Sequence, residues 1–182
     1  MDAANGTPAV LEGCLARIAE GEREALALLY EQTRVMIYGF ALSICKNAQD
    51  AEDVLQDTYT RVWTNAASYR PSGKPLAWLF TVARNLALMK LREERKTLDL
   101  PQEEWERLED HSTPRGLEDK AVLRAAMERL SDEERQIVML HAVAGFRHRE
   151  TAALLTLPLP TVLSKYQRAL KKLRTILKEE TI

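Results

Sequence analysis

The sequence predicts an all-α protein of two small helical domains joined by an acidic linker, the second containing a helix-turn-helix. Three observations carry this. Apolar residues recur at spacings of three and four along residues 10–96, and no segment alternates convincingly with period two. From Thr97 to Asp119, eight acidic residues stand against Arg107 and Arg115, a net of −6, with two prolines and few large apolar side chains. Residues 120–179 then return to helical spacing and end in a short helix, a proline-marked break and a longer basic helix.

The first domain opens with Leu11, Leu15 and Ile18 on one face, then Leu26, Leu29, Ile37, Phe40, Leu42 and Ile44. "KNAQDAED" interrupts the pattern: Asn47 suits an N-cap, and the acids that follow suit the positive end of a helix from about Ala48 to Asn65. "SYRPSGKP", Ser68 to Pro75, cannot continue that helix and reads as a loop. Trp78, Leu79, Val82, Ala83 and Leu86 restore helical spacing beyond it. After the linker (97–119), Val122, Ala126 and Leu130 share a face, and "SDEE" at Ser131 to Glu134 has the form of a capping box. Gly145 ends the helix that follows, "HRETAALL" forms a short one, and "TLPLP" is the turn before the basic helix.

Composition excludes several classes of function. No apolar run approaches the roughly 18 residues of a membrane span, and "MDAANGTPAV" has neither a basic nor an apolar leader segment, so a cytoplasmic protein without membrane insertion is expected. Cys14 and Cys45 are 31 residues apart with no CxxC, which indicates reduced thiols rather than a disulfide framework or zinc site. No metal, cofactor or catalytic group is implied. A formal net charge of −1 argues against a uniformly basic nucleic-acid coat, so the charge must act locally.

Three constellations do so. In the final helix, Val162, Tyr166, Ala169 and Leu173 take the core side, leaving Thr161, Ser164, Lys165 and Arg168 near the end that reaches base edges in a helix-turn-helix. Arg147, His148 and Arg149 open the preceding helix, where Arg147 and Arg149 suit phosphate contacts. In "DAEDVLQDTYTRVW", Asp50, Asp53 and Asp57 form one acidic stripe with Gln56 beside it, mildly repulsive unless something basic meets it. The third set spans a loop and a helix: Tyr69, Arg70, Lys74, Trp78, Arg84, Asn85, Lys90 and Arg92. This mixture fits single-stranded nucleic acid through stacking, phosphate pairing and an amide for base edges. For Trp78 the bland reading, a core residue, is favoured, and Tyr69 has the alternative of a loop anchor.

"DAEDVLQDTYTRVW", "AWLFTVARNLA", "LSDEERQIVML" and "TVLSKYQRALKKLR", in that order and spacing, resemble the extracytoplasmic-function sigma factors of bacterial RNA polymerase over roughly residues 20–178. The resemblance implies a subunit that binds core polymerase and promoter DNA. Asp50, Asp53, Gln56 and Asp57 would dock on the clamp of the largest subunit. Tyr69 to Lys74 and Asn85 would engage the melted minus-ten element, including a flipped base, and Thr161, Ser164, Lys165 and Arg168 would read the minus-thirty-five element. Residues 10–96 would be the region 2-like domain and 120–179 the region 4-like domain, with an anti-sigma factor as a further partner. Met89 stands where relatives carry an acid or amide, and Glu93 and Glu94 where they carry bases. Pro160 replaces a glycine and Leu163 a basic residue, so promoter choice is expected to differ. Two other readings stay open at this level: a conventional helix-turn-helix regulator acting without polymerase, and a sigma-like protein that has lost promoter melting.

Overall fold

A computed structural model describes residues 7–97 and 125–179, with side chains for 7–93 and 125–177; the acidic linker therefore lies outside the described residues. The first domain is four helices: α1 (Pro8–Ala19), α2 (Arg23–Cys45), α3 (Ala48–Asn65) and α4 (Pro75–Thr97). The second contains α5 (Asp132–Val138), which continues as a π-helical segment (Met139–Val143), then α6 (His148–Leu155) and α7 (Leu159–Glu179). Among the described residues there is no strand.

Local chemistry sets the helix ends as the sequence predicts. The Asn47 side chain accepts the Asp50 amide at 2.8 Å and starts α3. Lys46, in the left-handed region at φ 66°, returns its amide to Leu42 and stops α2. Ser131 and Glu134 form the reciprocal capping box of α5. Gly145, at φ 74°, makes the turn into α6, where a Cβ would be strained. Pro160 falls within the first turn of α7, where its missing N–H leaves no bond unmade. The π segment was not legible beforehand, because one inserted residue leaves no mark on the apolar spacing.

The core of the first domain lies between α2, α3 and α4. Phe40, Leu29, Ile37, Val54, Val62, Leu79 and Phe80 are fully or almost fully buried there, and Leu11, Leu15 and Ile18 of α1 close it. Tyr59 donates to Thr33 Oγ1 at 2.6 Å, because the Thr33 hydroxyl spends its one proton on the Leu29 carbonyl. This ties α3 to α2 inside the core.

The two domains pack against each other. Phe80 of α4 meets Phe40 at 5.1 Å on one side and Phe146, from the turn before α6, at 5.0 Å on the other. Gly39 allows the approach of Met139, since a Cβ there would sit 2.5 Å from the methionine methyl. Polar contacts border the seam: Lys46 to Asp132 at 2.8 Å, Arg135 Nη1 to the Ser43 carbonyl at 3.4 Å, and Lys74 to Glu150 at 3.6 Å. The two ion pairs among them, with exposed lysines, contribute at most about 1 kcal/mol each, so the rings dominate. Phe146→Ala is expected to cost roughly 3 kcal/mol through the cavity left beside Phe80 and to let the domains part. Thermal unfolding with small-angle scattering checks this; an unchanged radius of gyration would show that the seam does not depend on this ring.

Candidate nucleic-acid interface

Three surfaces matter, and each is built on a helix whose opposite face is fixed in the core. On α4, Leu79, Phe80, Ala83, Leu86 and Ala87 are buried, which turns Trp78, Asn85 and Met89 toward the end of α3. There they line a cleft of about 290 Å³ together with Arg61, Asn65 and Ser68. Its walls are mixed: the Trp78 indole and Met89 are apolar, while Asn65, Asn85 and Arg61 bring amide and guanidinium groups. Such a cleft can hold one planar ring against the indole and question its edge.

The loop beside the cleft presents exposed Arg70 and Lys74. Tyr69 is half-buried: its ring lies 5.3 Å from that of Trp78, and its hydroxyl donates to Glu12 of α1 at 2.9 Å. Tyr69 is therefore an anchor of the loop, its polar end already used. Trp78, expected in the core, is instead half-buried and walls the cleft, because the loop and the end of α3 leave one side of the ring uncovered. Arg84 lies one residue round the helix from Asn85 and is half-buried, with a buried Nε that finds no acceptor among the described residues. Arg92 is exposed farther along α4. These residues thus divide between a cleft-and-loop group and two side chains on other parts of α4.

The acidic stripe of α3 is not left unpartnered. Lys90 of α4 reaches Asp50 at 3.1 Å and also pairs with Asp53. Burial disfavours the Lys90 ammonium, but bonds to Asp53 and Asp50 overcome this and hold its pKa above the ordinary lysine value. Lys90 therefore leaves the nucleic-acid set suggested by the sequence. The Asp50 side chain is only 13% exposed against 41% for Asp53, while Gln56 and Asp57 are exposed. The outward half of the stripe is Gln56 and Asp57, framed by two acids bound from within.

On α7, Ser164 and Arg168 are exposed and Thr161 is half-exposed; the Ser164 hydroxyl donates to the Thr161 carbonyl at 3.0 Å. Lys165 departs from expectation. It is half-buried and paired with Glu133 of α5 at 2.7 Å, because it lies only about 60° round the helix from fully buried Val162. Gln167 and Lys171, at i+3 and i+7 from Ser164, complete the outer face; the charge of Lys171 suits phosphate or polymerase from the sequence alone, while Gln167 gives no such signal there. Arg129, Arg168, Lys171 and Lys172 line a groove of about 540 Å³ along α7. Lys172 also reaches Glu134 at 2.7 Å; burial would raise this carboxyl's pKa, but Lys172 and the Ser131 amide bring it below the ordinary value. Arg147 and Arg149 are exposed at the start of α6, where the Arg147 amide donates to Glu150 at 3.0 Å.

Behind this face, His141 and His148 stack at 3.9 Å and both meet the Tyr166 ring, at 4.7 and 5.0 Å. His141 Nδ1 must carry a proton, since it bonds the Phe146 carbonyl at 2.6 Å. Burial, and secondarily His141, lower the pKa of His148. A histidine that resists protonation when folded stabilises fully above its unfolded pKa of about 6.5 and loses that stability as pH falls from there toward its native value. The melting temperature is thus expected to drop between pH 7 and pH 5, with a shallower drop in His148→Gln. Melts followed by circular dichroism at each pH check this, and parallel curves for the two proteins would remove His148 from the account.

A helical domain bearing an amide-lined cleft and an acidic stripe, followed by a helix-turn-helix with a cationic face, defines a DNA-reading transcription subunit. Comparison with known proteins agrees. Residues 29–97 match Sigma-70 region 2 and residues 120–173 match Sigma-70, region 4. The ECF RNA polymerase sigma factor SigK of Mycolicibacterium vanbaalenii is 30% identical over 93% of this chain and 90% of its own length. SigK of Mycobacterium ulcerans is 30% identical over 92% and 93%. Among solved structures, the sigma factor RpoE of Bartonella quintana, in complex with the anti-sigma factor NepR, aligns with a TM-score of 0.64 at 27% identity, covering 80% of this chain and 92% of RpoE. CnrH, in complex with the cytosolic domain of CnrY, shares the fold with a TM-score of 0.66 at 23% identity, over 93% of this chain and 98% of CnrH. The chain belongs to the ECF RNA polymerase sigma factors, subunits that bind core RNA polymerase and promoter DNA and direct transcription initiation. No helix among the described residues is long and apolar enough to cross a membrane.

Proposed function

We propose that this sigma factor divides promoter recognition between the cleft of its first domain and α7 of its second. The observation that carries this is the cleft: an indole wall, amides on the rim, and exposed Arg70 and Lys74 on the adjoining loop. A base extruded from the melted minus-ten element would stack on Trp78 and offer its edge to Asn85, with Arg61, Arg70 and Lys74 on the phosphates. Met89, 44% exposed at the rim, replaces a hydrogen-bonding group with an apolar contact, which favours a base edge carrying a methyl group. Thr161, Ser164 and Arg168 would read the minus-thirty-five element in the major groove, joined by Gln167 and Lys171. Arg147, Arg149 and Arg168 would also meet phosphates.

Gln56 and Asp57 would make the outward contact with the clamp of the polymerase's largest subunit, while Asp50 and Asp53 shape that surface through Lys90. Residues 10–96 and 120–179 would be the two functional units and 97–119 the acidic connection. The elements named minus-ten and minus-thirty-five lie about 25 base pairs apart, on the order of 85 Å at 3.4 Å per pair. Reading both at once would part Lys74 from Glu150 and Phe146 from Phe80, so promoter engagement is expected to separate the domains. A protein that works inside the cytoplasm, carries no catalytic activity and is restrained by an anti-sigma factor, as RpoE is bound by NepR, fits this reading.

In vitro transcription with purified core polymerase and the protein's own upstream region tests the assignment. Asp57→Lys is the cleaner probe of docking, because Asp53→Lys would also set a second cation against Lys90. It is expected to weaken holoenzyme assembly at least tenfold, or about 1.4 kcal/mol, in a fluorescence titration. Arg168→Ala should cost roughly 1–3 kcal/mol of minus-thirty-five discrimination. Undiminished assembly by Asp57→Lys would remove α3 from the docking surface.

A further inference from the structure

We infer that Glu12 of α1 is a positioning residue for promoter melting: one carboxylate oxygen sets the shape of the Tyr69–Lys74 loop and, through Tyr69, the wall of the cleft. Glu12 lies outside both matched segments, 29–97 and 120–173. The inference rests on the proposed role of that loop in holding melted DNA.

Three donors converge on Glu12 Oε1. They are the Gly73 amide at 2.7 Å, the Tyr69 hydroxyl at 2.9 Å and the Ser72 amide at 3.1 Å. Successive amides turned toward one point by a left-handed residue, here Gly73 at φ 72°, form a concavity that suits an anion. In this chain the anion is its own side chain. The loop needs such a fastening, because Pro71 and Pro75 carry no amide hydrogens to give and Arg70, Ser72, Gly73 and Lys74 are all exposed. The Gly73 amide, then the Tyr69 hydroxyl, hold the Glu12 carboxyl below the ordinary glutamate pKa, so it is ionised at neutral pH.

The Tyr69 hydroxyl gives the contact its reach. With its hydroxyl fixed on Glu12, the Tyr69 ring lies against Trp78, and Trp78 walls the cleft. Removing the carboxylate frees two backbone amides and one ring together, so the cationic loop and the stacking wall lose register with each other. The core of the domain does not depend on this contact: the residues that seat α1 are Leu11, Cys14, Leu15 and Ile18 on its buried face.

The test uses holoenzyme reconstituted with the full chain and a promoter fragment carrying 2-aminopurine in the minus-ten element, whose fluorescence rises on unstacking. Glu12→Ala is expected to slow promoter opening about tenfold while leaving polymerase assembly within twofold. Glu12→Gln, which keeps the accepting oxygen without the charge, should recover part of the rate. Thr7→Ala removes the α1 N-cap, which accepts from the Val10 amide, and loosens the helix without touching the loop; it should open the promoter at the normal rate. If Thr7→Ala slows opening as much as Glu12→Ala, the effect belongs to α1 stability and the inference fails. Faster opening by Glu12→Ala also overturns it, since the carboxylate would then be blocking an anion site that DNA phosphate uses. Arg70→Ala combined with Lys74→Ala separates the two levels. If that pair opens normally, the role of the loop itself is wrong; if it is slow while Glu12→Ala is normal, only the positioning role falls.

Discussion

Phe80 is the residue on which the rest of the arrangement turns. It is fully buried, with Phe40 of its own domain on one side and Phe146 of the second domain on the other. A helix has one angular freedom about its axis, and a large ring locked between two others removes it. Once Phe80, Ala83 and Ala87 face inward, Trp78 and Asn85 must face the end of α3, and Lys90 must come up beside Asp50 and Asp53. One helix thereby shapes the cleft and the acidic face, and also supplies the seat for the second domain.

The charges follow a similar logic of shared duty. Asp50 and Asp53 cost little beside each other because Lys90 lies between them, and the stripe passes from an internally satisfied end to an exposed one at Gln56 and Asp57. Lys165 and Lys172 are likewise tied to Glu133 and Glu134, the first-turn acids that favour the start of α5. Acids that stabilise one helix end hold the cationic helix in place, while Arg168 and Lys171 stay turned outward. The two domains meet through aromatic rings bordered by weak ion pairs. Such a seam is stable enough to form yet loses little at any single polar contact when it opens.

Much of the helical plan was legible in the sequence. The Asn47 cap, the Ser131–Glu134 box, the Gly145 turn and the proline break before α7 are local chemistry, each decided within about four residues, and all stand where the spacing put them. The site was legible in part. Asn85, Ser164 and Arg168 are exposed as their helical positions require, and Arg70 and Lys74 as the proline-marked loop requires. Lys165 was misplaced although the signal was there, since its angle from Val162 already put it beside the core. Trp78 was misjudged because burial of a ring depends on what covers its second face, which the spacing along one helix does not specify.

By itself the sequence determined which segments are helices and which faces are apolar, because those follow from interactions between near neighbours, and the order of its motifs carried the family resemblance. Only the tertiary structure decided that Lys90 answers the acidic stripe from 37 residues away, and that Glu12 fastens a loop some 60 residues farther on. It also decided that Phe146 closes over Phe80. Each of these joins groups whose separation along the chain carries no periodic trace, and each becomes specified only when packing has fixed the rotation of every helix.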